Sequence, residues 1–280
     1  MNREIQQVFN AQPSMDGAGV AIHRVAGFEK AAMDPILMID ELRSEHREDF
    51  AAGFPPHPHR GMQTLTYMKH GGIIHEDSLG NRGEIQSGGA QYMSAGKGII
   101  HSEMPTQDTA GLHGFQLWFN LPAAQKMQAP RYRDLPVTEL AHLAGRGFNL
   151  TAVSGDWHVA GTSNLEGPLS ELAPQAALAD LNLEPTVELT FAVQLEESVM
   201  VYIYNGDVDL GGNSYGERQM LLFGAGDTVS LKGGIHGAGV LLLRGRPIGE
   251  RVVHYGPFVM NTEAEIEEAI RDYQSGRFAA

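Results

Sequence analysis

Two short stretches of the sequence place metal-binding side chains two residues apart. FPPHPHRGMQTLTY carries His57 and His59 just after a run of prolines. AGKGIIHSEMP carries His101 and Glu103. Pro58 has a fixed φ and biases the residue before it toward extended backbone, where residues i and i+2 point to the same face. We therefore expect the first two histidines to aim together, and the same period applies to the second pair.

Three imidazoles and one carboxylate directed into one cavity would suit a divalent transition metal. Imidazole binds Fe, Ni, Cu and Zn well, and one carboxylate favours a harder, open-coordinate ion such as Fe(II). Mn is a further candidate for the same ligand set. The chain has no cysteine, which argues against a closed structural zinc site. A single histidine in a strand is more often a hydrogen-bonded core or surface residue, but two pairs of ligand type favour a metal site. Such a set leaves coordination positions free for water, O2 or a chelating substrate.

Strands must position these side chains. Up to about residue 130 the sequence shows short extended runs cut by glycine-rich turns, which is typical of a β-barrel or sandwich. Between His59 and His101 there is room for roughly four strands, which would return the chain to its starting point. Residues 123–140 lose the alternation and predict a connection. We expect one barrel with the metal site over residues 1–130 and a second barrel over 131–280, which ends in a helix.

The last segment, NTEAEIEEAIRDYQSGRF, predicts that helix. Thr262 and Glu265 have the spacing of a capping box. Ile266, Ile270 and Tyr273 form one apolar stripe at helical spacing, which is most simply a packing face.

The two halves of the sequence resemble each other weakly, as expected for a duplicated barrel. QSGGAQYMSAGKGIIHSE can be laid over LFGAGDTVSLKGGIHGAG, with His101 over His236. Ala238 then stands where the first half has Glu103, and no His-x-His motif precedes it. A copy of this kind lacks three of the four candidate ligands, so we expect the second barrel to carry no metal.

Composition excludes several classes of function. The chain has 280 residues and a formal net charge of −14, and no basic face is visible, so direct binding to nucleic acid is not expected. The absence of cysteine excludes disulfides and iron–sulfur clusters. The N-terminus lacks a signal-peptide pattern, and the apolar runs are too short to cross a bilayer. We therefore expect a soluble cytoplasmic protein without membrane contact.

The chain closely resembles the pirin family of bicupins over nearly its whole length. The resemblance is carried by GFPPHPHRGMQT, by GGIIHEDSLGNRGEIQSGGAQYMSAGKGIIHSEMP and by YGPFVMNT near the C-terminus. It implies an all-β fold of two cupin-type β-barrels packed face to face, with one metal, usually iron, in the N-terminal barrel. The pirin ligand pattern carries over to His57, His59, His101 and Glu103. Gln63 stands near the place where other cupins have a ligating glutamate, so we expect a pocket amide there and not a ligand.

The resemblance implies two roles. Some pirin-like proteins act as quercetin 2,3-dioxygenases, which open the central ring of a flavonol with O2 and release carbon monoxide. Others are iron-dependent regulators that bind a transcription factor or a metabolic enzyme. We expect the first role, with Glu103 or a nearby base taking the proton of the flavonol 3-hydroxyl. The alternative is the regulator with a protein partner, and a metal-dependent isomerase or sugar-binding cupin is a weaker third option.

A flavonol pocket would need flat apolar walls near the metal. Alternation lets one face of the strand HGFQLWFN look inward, either that of Phe115 and Leu117 or that of Gln116 and Trp118, and we favour the second. The expected pocket residues are Phe54, Met62, Gln63, Gln116 and Trp118. The nearby histidines expected not to be ligands are His70, His75 and His113.

Overall fold

The structure of the chain, a computed structural model, describes residues 1–172 and 174–279 and consists mainly of β-strands. The strands of its first half are β1 (Ile5–Asn10), β2 (Gln12–Asp16), β3 (Val20–Ala26), β4 (Ile36–Ser44), β5 (Phe54–His59), β6 (Met62–His70), β7 (Ile73–Asp77), β8 (Arg82–Ile85), β9 (Ala90–Ser94), β10 (Ile99–Pro105), β11 (Leu112–Asn120) and β12 (Arg131–Leu135). The strands of its second half are β13 (Ala141–Gly145), β14 (Phe148–Ser154), β15 (Asp156–Val159), β16 (Leu165–Glu166), β17 (Ala177–Leu183), β18 (Glu188–Ala192), β19 (Ser198–Leu210), β20 (Asn213–Gly216), β21 (Gln219–Phe223), β22 (Thr228–Gly245), β23 (Val253–Tyr255) and β24 (Phe258–Met260). The helical elements are α1 (Glu263–Gln274) and the short 3₁₀ helices Ala31–Met33, Arg47–Asp49 and Ala123–Gln125. In these residues no helix is both long and apolar enough to cross a bilayer.

The chain divides into two compact units that differ from the predicted division into 1–130 and 131–280. The amino-terminal unit contains Gln12–Ala31, Ile36–Thr138 and Ile248–Ala280, and the carboxy-terminal unit contains Met1–Ala11, Ala32–Pro35 and Glu139–Pro247. The main boundary therefore lies after Thr138, and each terminal segment joins the unit formed mostly by the other half of the chain.

Strand pairing and packing explain why each terminal segment belongs to the unit formed mostly by the other half of the chain. β1 pairs antiparallel with β21 of the carboxy-terminal unit, where Val8 lies opposite Leu221. The C-terminal segment contributes Phe258 and Phe278 to an apolar cluster of the amino-terminal unit, against which Ile100 of β10 packs. Local patterns predict each element but not these distant partners. The predicted C-terminal helix exists, and it belongs to the amino-terminal unit.

Two antiparallel sheets form the framework of the amino-terminal unit. One has the strand order β5-β10-β7-β8, and the other has the order β12-β9-β6-β11-β4-β3-β2. The four strands β6 to β9 separate His59 from His101, as the sequence predicts. Met68 and Leu112 of the larger sheet share a buried cluster with Ile73 of the smaller sheet. Burial of each such side chain contributes about 1.5–3 kcal/mol, which holds the two sheets together around the space between them.

Helix α1 begins at a capping box, as the sequence predicts. The Thr262 hydroxyl accepts a hydrogen bond from the backbone N–H of Glu265, and the Glu265 carboxylate accepts one from the backbone N–H of Thr262. Ile266 is buried and Ile270 packs against the same apolar cluster, whereas Tyr273 is 42% exposed. The predicted stripe therefore packs mainly through its first two members.

The carboxy-terminal unit is built on one large antiparallel sheet with the central order β1-β21-β19-β22-β17-β14-β13. Ala238, which aligns with Glu103, is buried in its apolar core. His236, which aligns with His101, is exposed, and its Nδ1 lies 3.3 Å from a carboxylate oxygen of Asp207. In place of a pair of ligands, the carboxy-terminal unit therefore has the exposed imidazole of His236 and the buried methyl group of Ala238.

Candidate metal centre

Strand β5 aims His57 and His59 to one side, as the proline-rich sequence predicts. Both lie in the extended segment Phe54–His59, and their ring centroids are 4.9 Å apart. The Nδ1 atom of His57 lies 2.8 Å from the carbonyl oxygen of Pro55. Because a carbonyl oxygen only accepts, Nδ1 carries the proton and Nε2 keeps its lone pair.

Strand β10 brings His101 to the same place. It lies directly opposite His57 in the antiparallel pair of β5 and β10. Its ring centroid is 4.4 Å from that of His57 and 5.0 Å from that of His59. One candidate ligand atom from each of the three rings lies within 4.8 Å of the other two. In the part of the chain that the structure describes, no other group of three His, Cys, Asp or Glu side chains meets this condition.

Burial keeps two of these rings neutral. His59 is 1% exposed and His101 is 2% exposed. Burial, and then the neighbouring His57, lowers the pKa of His59 well below 6.5. The Pro257 backbone acts in the opposite direction, but neither ring nitrogen of His59 makes a hydrogen bond. Burial also lowers the pKa of His101 well below 6.5, assisted by His59, His57 and His75. Neutral imidazole is the form that binds a metal ion.

Unpaired ring nitrogens make the three-histidine group fit a divalent transition metal. Both nitrogens of His59 and Nε2 of His101 are buried without a hydrogen-bond partner. Buried polar atoms are nearly always paired, because burying one unpaired is costly. One nitrogen of His59 and Nε2 of His101, next to the free lone pair of His57, therefore indicate a site for a ligand. An imidazole set without thiolate suits Fe, Ni, Cu or Zn.

Glu103 lies beside the histidines but is not a member of the group with close ligand atoms. Its two carboxylate oxygens accept hydrogen bonds from the hydroxyl of Thr66 at 3.0 Å and from the amide of Gln116 at 3.2 Å. The register of β10 against β5 shifts between His101 and Glu103, so that Glu103 lies opposite Phe54. The extra residue falls in the neighbouring pair of prolines, which have no N–H to donate to the ladder. The role of Glu103 as a ligand stays a prediction.

Three of the five predicted pocket residues lie next to the candidate centre. Phe54 and Gln116, together with Glu103, line a cavity of about 10 Å³, which has room for roughly one water molecule. Trp118 stands edge-on to His59, with ring centroids 5.1 Å apart. The face of β11 that carries Gln116 and Trp118 is therefore the one that meets the histidines and Glu103.

The other two predicted pocket residues have different surroundings. Met62 is fully buried in an apolar cluster against which Trp118 packs. Gln63 is 3% exposed and donates from its amide nitrogen to the hydroxyl of Tyr92 at 2.7 Å. Neither residue lines the cavity beside Glu103.

Three further residues that support the centre are not among the predicted site residues. Thr66 donates to Glu103, as described above. His75, expected only to be a non-ligand, places Nδ1 3.3 Å from Nδ1 of His101, and its Nε2 lies 3.2 Å from the carboxylate of Asp77. The signal for this pair is present in GGIIHEDSLG, because His75 and Asp77 are also two residues apart in an extended run.

Family models match both halves of the chain. The model described as Pirin matches residues 19–119, and the model described as Pirin C-terminal cupin domain matches residues 178–279. The chain belongs to the pirin family. This pirin is thus an all-β protein of two cupin domains with a C-terminal helix.

Relatives and solved structures agree with this assignment. A Vibrio cholerae protein named "Putative quercetin 2,3-dioxygenase" is 44% identical to this pirin over 279 residues, which cover 99% of this chain and 98% of the relative. A crystal structure of quercetin 2,3-dioxygenase from Acinetobacter baumannii matches with a TM-score of 0.90 and 27% identity, over 100% of this chain and 99% of that chain. The bacterial pirin YhhW of Escherichia coli, in complex with nickel(II), shares the fold with a TM-score of 0.63 and 20% identity, over 86% of this chain and 100% of that chain.

Proposed function

We propose that this protein is a metal-dependent dioxygenase that cleaves a flavonol of the quercetin type with O2. The observation that carries the proposal is the convergence of His57, His59 and His101, of which His59 and His101 have buried and unpaired ring nitrogens, beside the carboxylate of Glu103. The names of the Vibrio cholerae relative and of the Acinetobacter baumannii structure support the same chemistry.

His57, His59 and His101 would hold one divalent ion, with Glu103 as the proposed fourth ligand. Fe(II) is the proposed ion, and Ni, Cu, Mn and Zn are compatible with the same donors. When bound, such an ion supplies Lewis acidity, which lowers the pKa of a coordinated flavonol hydroxyl. The protein contributes the neutral rings, since burial disfavours their protonated form.

Glu103 is proposed as the base that takes the proton of the flavonol hydroxyl at a carboxylate oxygen. Thr66 and Gln116 donate to different oxygens of Glu103, so they restrain the plane of its carboxylate. The Thr66 hydroxyl also lies 2.5 Å from the amide oxygen of Gln116, and because it has a single proton it donates to either this oxygen or Glu103 within one three-residue network. Proton transfer requires a base within hydrogen-bond reach and at a defined angle, and this network would provide that restraint.

Apolar side chains near the centre would exclude water from the reaction. Trp118 covers one side of His59, and Phe54 lines the cavity beside Glu103. That cavity, about 10 Å³, is too small for a flavonol. We therefore propose that the substrate approaches from the side of His57, which is only partly buried, and that the partly buried ring of Phe54 moves to admit it.

Incubation of iron-loaded protein with quercetin in air tests the proposal. We expect loss of the flavonol absorbance band together with uptake of O2 and release of carbon monoxide. The His101→Ala variant should show none of these, because it loses a proposed ligand. The matched control is His236→Ala, which removes an exposed histidine of the carboxy-terminal unit and should leave the rate unchanged.

Iron-loaded protein that leaves a panel of flavonols unchanged would contradict the dioxygenase proposal. That result would favour the alternative role, an iron-binding regulator that acts through a protein partner.

A further inference from the structure

Strand β7 supplies a second layer of side chains behind His101. His75 and Asp77 lie two residues apart on this strand and are 1% and 0% exposed. Nδ1 of His75 is 3.3 Å from Nδ1 of His101, and Nε2 of His75 is 3.2 Å from Oδ2 of Asp77. The three side chains form a buried chain that runs from a carboxylate to a proposed metal ligand.

A single arrangement of protons satisfies this chain when both rings are neutral and Asp77 is ionised. The Asp77 carboxylate only accepts, so His75 carries its proton on Nε2 and accepts at Nδ1. His101 is then the donor at Nδ1, which leaves the lone pair of its Nε2 free. That Nε2 atom is the one that is buried without a hydrogen-bond partner.

Asp77 and His75 are themselves held in place. Oδ1 of Asp77 accepts hydrogen bonds from the backbone N–H groups of Leu79 at 2.9 Å and Asn81 at 3.0 Å, and Oδ2 accepts one from the Asn81 amide at 2.8 Å. Tyr132 stacks on His75, with ring centroids 4.5 Å apart and planes 29° apart. The turn after β7 and the stacked ring therefore fix the carboxylate and the imidazole that face His101.

We infer that His75 and Asp77 are positioning residues that hold His101 in the tautomer with the proton on Nδ1 and direct its Nε2 to the metal. The inference rests on the proposed metal centre. Histidine ligands generally donate their second N–H to an outer partner, and loss of that partner weakens metal binding by about 10–100-fold. In this chain the partner is a second histidine, which passes the interaction on to a carboxylate. The charge of Asp77 makes His75 a better acceptor and His101 a more basic ligand.

Ring-nitrogen NMR and zinc affinity test the inference without any measurement of turnover. In zinc-loaded wild-type protein with ¹⁵N-labelled histidine, we expect the proton of His101 on Nδ1 and that of His75 on Nε2. Zinc affinity, measured by competition with a chelator, should fall about 10–100-fold in His75→Phe, which keeps a ring on Tyr132 but removes the acceptor. It should fall by about tenfold in Asp77→Asn, which keeps an acceptor but loses the charge.

The matched control is His113→Phe. His113 also pairs with a carboxylate, that of Glu41 at 3.0 Å, but this pair lies on the larger sheet and not on the sheet that carries His101. This variant should bind zinc as the wild type does. A proton on Nε2 of His101, or wild-type zinc affinity in folded His75→Phe, would overturn the inference. If His75→Phe does not fold, the tautomers of the wild-type protein and the zinc affinity of Asp77→Asn decide whether the inference holds. If the wild-type protein binds no zinc, the proposed metal centre itself is contradicted. This result differs from the two results above, which contradict only the positioning role of His75 and Asp77.

Discussion

At the scale of single residues, Glu103 combines a negative charge with hydrogen bonds from Thr66 and Gln116. Glu103→Gln keeps the size of the side chain but removes the charge and the capacity to take a proton. We expect weaker but retained metal binding and a loss of turnover of about 100-fold or more, which is the usual contribution of a general base. Metal analysis combined with the flavonol assay measures both effects. Wild-type rates in this variant would remove Glu103 from the mechanism.

Thr66 is expected to act only through Glu103. Thr66→Val keeps the shape but removes the hydroxyl that donates to a buried carboxylate oxygen at 3.0 Å. The unsatisfied acceptor should cost about 1–3 kcal/mol of stability. We expect the fold to be retained and kcat to fall, because the carboxylate plane of Glu103 loses one of its restraints. The matched control is Thr64→Val on the same strand, since Thr64 is 2% exposed and Thr66 is 4% exposed. An equal loss of kcat in both variants would point to packing instead of support of Glu103.

Residue spacing predicts the proposed ligands of this centre better than the residues that hold them in place. The two-residue period of extended chain is sufficient to bring His57 and His59 together, and the same period marks His75 and Asp77. Thr66 gives no such signal, because threonine is common in strands and its partner Glu103 lies on a strand of the other sheet. Only the packing of the two sheets brings that hydroxyl to the carboxylate.

At the scale of elements, a buried lysine joins three segments around the turn that follows β5. Lys126 is 1% exposed. Its Nζ donates to the carbonyl oxygen of Gly61 at 2.7 Å, to the side-chain oxygen of Asn120 at 2.7 Å and to the carbonyl oxygen of Val259 at 3.0 Å. These acceptors belong to the β5–β6 turn, the end of β11 and β24, so one ammonium group holds the segment beside His59.

Lys126→Met should destabilise the amino-terminal unit, because it leaves three buried acceptors without their donor. At about 1–3 kcal/mol for an unsatisfied group, we expect the free energy of unfolding to fall by roughly 3 kcal/mol or more, as measured by urea denaturation. Metal affinity should also fall, since Gly61 is two residues from His59. Lys97→Met, at an exposed lysine, is the control. Wild-type stability in Lys126→Met would contradict this account of the turn.

The number of strands is predictable from turn signals, but the register is not. Four strands separate His59 from His101 as predicted, because glycine-rich turns mark their ends. Alternation also places Glu103 on the same face as His101. It does not predict that Glu103 lies opposite Phe54, since that shift depends on prolines in the neighbouring strand.

At the scale of the whole molecule, each terminal segment supports the unit formed mostly by the other half of the chain. Phe278 is 2% exposed, and the guanidinium carbon of Arg60 lies 4.5 Å from its ring centroid. Arg60 follows His59 directly, so the C-terminal segment packs next to a proposed ligand. No local pattern predicts such pairing between distant segments.

Two substitutions of equally buried rings test this division. Phe278→Ala and Phe191→Ala each remove a ring that is 2% exposed, and each should cost about 3–5 kcal/mol of stability. We expect only Phe278→Ala to weaken metal binding, measured by titration under conditions where both variants are folded. Phe191 lies in the core of the carboxy-terminal unit and serves as the matched control. Equal loss of metal affinity in both variants would contradict the assignment of Ile248–Ala280 to the amino-terminal unit.

The metal content of the wild-type protein and of His101→Ala, purified side by side and titrated with the same ion, tests most directly whether His57, His59 and His101 form a metal centre. We predict about one divalent ion per wild-type chain and a large loss of both content and affinity in the variant, because the remaining ligands hold an open ion poorly. Full occupancy and unchanged affinity in folded His101→Ala would contradict the three-histidine centre.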